Sequence, residues 1–196
     1  MTIRLVEVFN QTQEIRRIRG NRDLAAGVCC GLSLRWLKLR PRFNSVSERL
    51  TRLGMDMEKA ITIEQEHALW ALNQQPATGD TAVMHWQKVD RAIRDTLGVY
   101  MFRVLDAWPA DRHHAAMNPA EISLGFTSLL PRYFIASMDM GEKHMCAGYC
   151  TPGGERVEFF DPNRGEYLSD EGIAGIFQQY GIQVRHLRIY DVALPQ

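Results

Sequence analysis

The sequence predicts an α+β fold in which a helical first half packs on an antiparallel sheet supplied by the second half. Two observations carry this expectation. In separate segments between Leu24 and Leu97, at 24–39, 43–53, 57–73 and 80–97, apolar residues follow the period of one helix face. After Gly98, Trp108-Pro109, Asn118-Pro119 and Pro131 interrupt any long helix, and short β-prone runs take over. Helices that precede strands in separate blocks belong to the α+β class. At 196 residues the chain can bury a core without disulfide or metal staples, so one domain spanning 1–196 is expected.

Taken in order, residues 1–20 mix apolar and basic positions and end at the turn-like pair Gly20-Asn21, which reads as a short strand or an N-terminal arm. Between Leu24 and Leu39, Val28, Leu32, Trp36 and Leu39 fall on one helical face, and Pro41 closes the helix. Further helices are expected at 43–53, 57–73 and 80–97, the last with Val83, Trp86, Val89, Ile93 and Leu97 along one side. Strands are expected near 132–138, 144–150, 155–161 and 183–190. The turn Thr151-Pro152-Gly153-Gly154 joins the second and third into a hairpin, and Ser169 reads as the N-cap of a helix reaching Tyr180. Trp36, Trp70, Trp86 and Trp108 read as core. No internal repeat or low-complexity linker is evident.

Composition excludes several function classes. Lys+Arg and Asp+Glu both number 23 and the net charge is +0, so the broad attraction that nucleic-acid binding requires is missing. The longest apolar stretches, such as LAAGVCCGLSL, fall short of the ~20 residues that cross a bilayer, and neither a membrane span nor a signal peptide is expected. The four cysteines, Cys29, Cys30, Cys146 and Cys150, include an adjacent pair too constrained to bridge to itself, which fits a reducing cytoplasm. Cys146 and Cys150 share one strand face, and with Cys29, Cys30 and His144 they suggest zinc. No Cys-x-x-Cys or His-x-x-x-His spacing supports it, so neither metal nor cofactor is expected. His113-His114 reads as exposed loop. Arg16-Arg17-Ile18-Arg19 reads as a solvated basic face that could meet an acidic substrate segment.

Three residues remain as candidates for chemistry. Cys29 stands at the start of the Leu24–Leu39 helix, where free backbone N–H groups and the helix dipole favour thiolate and can hold an oxyanion. The plainer reading makes Cys29 and Cys30 small apolar core residues. His144 opens one strand of the expected hairpin and Asp161 closes the other, so pairing around the turn brings them to hydrogen-bond distance. The aspartate would then fix the imidazole tautomer that accepts the thiol proton. Taken singly, each also reads as an ordinary surface histidine and an Asp-Pro-Asn turn.

Gly27-Val28-Cys29-Cys30-Gly31-Leu32-Ser33-Leu34-Arg35-Trp36-Leu37 resembles the cysteine motif of the YopT and AvrPphB-type peptidase effectors. Lys143-His144-Met145-Cys146-Ala147 resembles their histidine strand, and Phe159-Phe160-Asp161-Pro162-Asn163-Arg164-Gly165-Glu166 is similar to their aspartate motif. The resemblance implies a papain-like fold, peptide hydrolysis through a thioester acyl-enzyme, and a Cys29-His144-Asp161 triad. It further implies a protein substrate in a host or competitor cell, synthesis in the cytoplasm with delivery by a signal-peptide-independent secretion system, and, for an antibacterial toxin, a cognate inhibitor or immunity protein. Cys30 also lies near the helix start, and only the Gly-x-Cys register selects Cys29. The family's oxyanion amide precedes the nucleophile by a few residues, whereas here Asp23 and Leu24 stand at six and five before, with Asn21 the nearest amide. Either Asn21 reaches in, or Asp23 is protonated, or backbone amides serve alone. Two alternatives share the fold: an acyltransferase of transglutaminase type, and a catalytically idle binding module, to which the mismatch at Asp23 lends support.

Overall fold

The structure, a computed structural model, describes residues 3–19, 27–73, 100–106, 132–139, 143–180 and 186–193. Its elements in chain order are β1 (Ile3–Val8), α1 (Gln11–Arg19), α2 (Cys29–Leu39), α3 (Val46–Met55), α4 (Met57–Asn73), β2 (Tyr100–Asp106), β3 (Arg132–Asp139), β4 (Lys143–Cys150), β5 (Val157–Asp161), β6 (Gly165–Ser169), α5 (Gly172–Tyr180) and β7 (His186–Ala193). The strands form one antiparallel sheet in the order β1-β6-β5-β4-β3-β7-β2. This is the α+β class expected, with helices packed on an antiparallel sheet.

Several boundaries differ from expectation for identifiable reasons. The first helix of the cysteine motif begins at Cys29 rather than Leu24: Val28 is its N-cap, with φ −110° and ψ 31°. α3 begins at Val46, because Ser45 caps it through a 3.4 Å bond from the Glu48 N–H and because the amides of Arg42 and Phe43 fold back onto the Leu39 carbonyl. Ser169 is not a helix cap. It ends β6, and its hydroxyl accepts the Glu171 N–H at 3.1 Å, a side-chain turn that leads into α5. β6 escapes the sequence because all five of its residues are buried and show no alternation. The N-terminal segment is β1 and α1, with β1 paired along β6, so helices and strands are less segregated than the sequence suggests. The helix expected at 80–97 lies outside the described residues.

The sheet separates two apolar layers. On one face Leu32, Trp36, Leu37, Leu53, Met57 and Ile61 of the helices meet Ile135, Ala147 and Phe160. On the other, Phe134, Ala136, Met138, Val157 and Phe159 meet Ile173 and Ile176 of α5. Phe159 and Phe160 thus point to opposite faces, as consecutive strand residues must. Phe160 stacks on Trp36 with centroids 6.0 Å apart, and Phe159 on Phe134 at 6.3 Å. Trp36 is fully buried, as expected of a core tryptophan. The side chain of Trp70 and the positions of Trp86 and Trp108 are outside the described residues, as is the loop expected at His113-His114.

Candidate active site

Cys29 is the first residue of α2 and is only partly buried, whereas Cys30, one step along the helix, turns into the core. Burial pushes the Cys30 thiol well up, and the nearby Glu64 and Cys29 push it further, so Cys30 holds its proton at neutral pH. The two cysteines, of which only the Gly-x-Cys register selected Cys29, are therefore distinct in exposure.

α2 is held to the sheet directly beneath this point. The buried Ser33 hydroxyl donates to the Met145 carbonyl at 3.0 Å, tying the cysteine helix to β4 next to His144. β4 and β5 pair in the register Ala147↔Phe160, so the start of β4 faces the end of β5. The result is a buried His144–Asp161 pair with Nε2 to Oδ1 at 2.9 Å. The same Asp161 oxygen accepts the Asn163 N–H at 2.8 Å, which fixes the carboxylate in the turn. His144 also stands close enough to the Cys29 and Cys146 thiols for both to raise its pKa.

Burial by itself disfavours imidazolium at His144, but the balance lies the other way: its pKa is raised, through the charge of Cys146, the Asp161 hydrogen bond and hydrogen bonds to the Cys146 and Cys29 sulfurs. Of these, Asp161 is the dependable source. Burial drives the Cys146 thiol up to about 12, so Cys146 is neutral at physiological pH and cannot supply an anion there. With Nε2 engaged by Asp161, Nδ1 is the ring atom left to exchange a proton with a thiol.

Two features were not legible in the sequence. Glu64 of α4 accepts the Gly31 N–H at 3.0 Å and also bonds the Cys30 N–H. These are helix-start amides that the sequence reading offered to an oxyanion. A carboxylate already occupies them, leaving the Cys29 N–H, for which the described residues provide no acceptor. Burial raises the Glu64 carboxyl, and the two amides oppose that rise. Glu166, the last residue of the aspartate motif, is fully buried and receives Trp36 Nε1 at 2.7 Å and the Arg49 guanidinium. It is a structural link between the helices and the sheet, with no place in the proton chain. Asn21 and Asp23, the oxyanion candidates, lie outside the described residues.

His144, Cys146 and Asp161 place ligand atoms within 4.8 Å of one another, a nitrogen, sulfur and oxygen set that a thiophilic cation could use. Spacing rules for zinc fingers miss it because the hairpin assembles it. A surface groove of about 330 Å³, lined by residues including Glu7, Phe9, Arg17 and Leu50, involves none of the candidate residues. No described helix is long and apolar enough to cross a membrane.

No family model and no curated protein matches the sequence. The fold is similar to that in the crystal structure of the Pseudomonas avirulence protein AvrPphB, with a TM-score of 0.62 and 17% identity over 85% of this chain and 92% of that one. At that identity the likeness establishes a shared fold, α+β and papain-like, reached independently of the motifs that the sequence displays.

Proposed function

We propose that the chain is a cysteine endopeptidase with Cys29 as nucleophile, His144 as proton carrier and Asp161 as the group that orients and charges the histidine. The observation that carries this reading is the constellation itself: a partly exposed helix-start cysteine within reach of a histidine whose far nitrogen bonds a buried aspartate at 2.9 Å. In the proposed reaction Cys29 passes its thiol proton to His144, the sulfur attacks the scissile carbonyl as thiolate, and a thioester forms as the C–N bond breaks. His144 gives its proton to the departing amine, then takes one from the water that cleaves the thioester. The Cys29 N–H stands at the helix start, where an oxyanion would develop.

The substrate would be a protein. The motif resemblance, together with a fold shared with an avirulence protein, supports an effector or toxin acting inside a target cell. For a competitor-directed toxin, the producing cell would carry an inhibitor that covers Cys29.

The test is to incubate the protein with lysates of candidate target cells and label newly formed N-termini. Wild type is expected to generate a small set of new termini that Cys29→Ala, His144→Ala and Asp161→Ala do not, with Cys30→Ser retaining them. Termini produced equally by Cys29→Ala would overturn the reading.

A further inference from the structure

A polar residue of the N-terminal segment links the two halves of the site. Gln11, the first residue of α1, is buried although it carries an amide. Its main-chain N–H donates to the Pro162 carbonyl at 2.8 Å, which seats it against the turn that follows Asp161. Its side chain then spans to the cysteine motif. Oε1 accepts the Val28 N–H at 2.8 Å in a buried bond, and Nε2 donates to Asn163 Oδ1 at 2.5 Å. Val28 is the N-cap of α2, immediately before Cys29, and α2 has no side-chain cap of its own. Gly27 leaves room for the amide: a Cβ there would lie 3.0 Å from Gln11 Nε2.

These bonds form a chain around the site. Starting from Val28, beside Cys29, it passes through Gln11 to Asn163, from the Asn163 N–H to Asp161, and from Asp161 to His144, whose ring the Cys29 thiol influences in turn. The sheet and Ser33 hold the histidine side, and Gln11 is the side-chain link that closes the cysteine side onto the aspartate turn. An amide suits this position because it presents an acceptor and a donor at the same distance from the backbone.

We infer that Gln11 is a positioning residue, which holds the start of α2 at a fixed distance from the Asp161 turn so that the Cys29 sulfur and the His144 ring stay in register. Its hydrogen bonds go to Val28, Asn163 and Pro162, and it acts through Val28 and Asn163. The inference rests on the peptidase reading of Cys29 and His144.

The experiment measures the rate at which iodoacetamide modifies Cys29 at neutral pH, by mass spectrometry of the full chain. Gln11→Met keeps length and removes both hydrogen bonds. It is expected to slow Cys29 about tenfold, the size of one or two hydrogen bonds, and to have no further effect in a His144→Ala background. Gln11→Glu retains the acceptor for Val28 and can accept from the Asn163 amide turned over, so it is expected to restore most of the rate. Asn163 is exposed, so Asn163→Ala tests the same link where Gln11→Met proves unable to fold; slowing there supports the inference, and an unchanged rate overturns it. Equal slowing by Gln11→Met with and without His144 would also overturn it, since that marks a general loss of structure. A wild-type rate that ignores His144 would instead sink the peptidase reading, whereas a His144-dependent rate indifferent to Gln11 sinks this inference alone.

Discussion

His144 lies buried beside Asp161, and its raised pKa makes stability depend on pH in a defined sense. Below about pH 6.5, the ordinary histidine value, folded and unfolded chains are both protonated and the pair contributes fully. Above it the unfolded chain releases its proton while the folded one keeps it, so the contribution is lost as pH climbs toward the raised folded value. The stability advantage of wild type over His144→Gln is therefore expected to shrink steadily between pH 6 and pH 9 in urea titrations. An advantage that grows over that range would mean that His144 is buried neutral. The residues of this pair were legible, because hairpin pairing follows from a turn signal and a period of two. The division between Cys29 and Cys30 rested on the Gly-x-Cys register alone, since a helix dipole acts on both and their difference in burial comes from tertiary packing. Glu64 was illegible for the same reason: nothing in a helix sequence says which neighbouring helix start it caps.

At the scale of elements, the glycine after the two cysteines has a specific task. A Cβ on Gly31 would stand 2.0 Å from the Ala60 carbonyl oxygen, so α2 and α4 approach through a gap that no side chain fits. That approach also delivers Glu64 to the amides of α2. Gly31→Ala must push backbone from backbone, and it is expected to destabilise the protein by about 1–3 kcal/mol, the range of overpacked cores, read as a lower urea midpoint at constant slope. An unchanged midpoint would mean that the helices lie further apart. The apolar face of α2 and the extent of α4 were visible in the 3.6-residue period of their apolar residues. β6 was not, since a strand covered on both faces carries no alternation to read. Its start depends on Gly165, whose φ of +123° and contact with the Glu7 carbonyl exclude a side chain.

Across the whole molecule, the helical layer and the sheet are joined through buried charge. Arg49 of α3 is fully buried and pairs with Glu166 of β6 and Glu158 of β5. Trp36 of α2 donates to the same Glu166. Three elements, α2, α3 and β6, thus meet at one carboxylate, and β5 joins them through the Arg49–Glu158 pair, which accounts for a glutamate at the end of the aspartate motif without giving it any chemistry. A buried ion pair gains little over apolar packing, but deleting one partner strands the other in the core. Glu166→Leu is accordingly expected to cost about 3–5 kcal/mol and to disturb Trp36, visible as a red shift of tryptophan emission below the melting transition. Adding Arg49→Met to Glu166→Leu removes the stranded charge and should recover much of that loss. If the double variant were as unstable as the sum of the single ones, the two residues would be acting independently, and the link between helices and sheet would have to reside in the apolar contacts of Trp36 with Phe160.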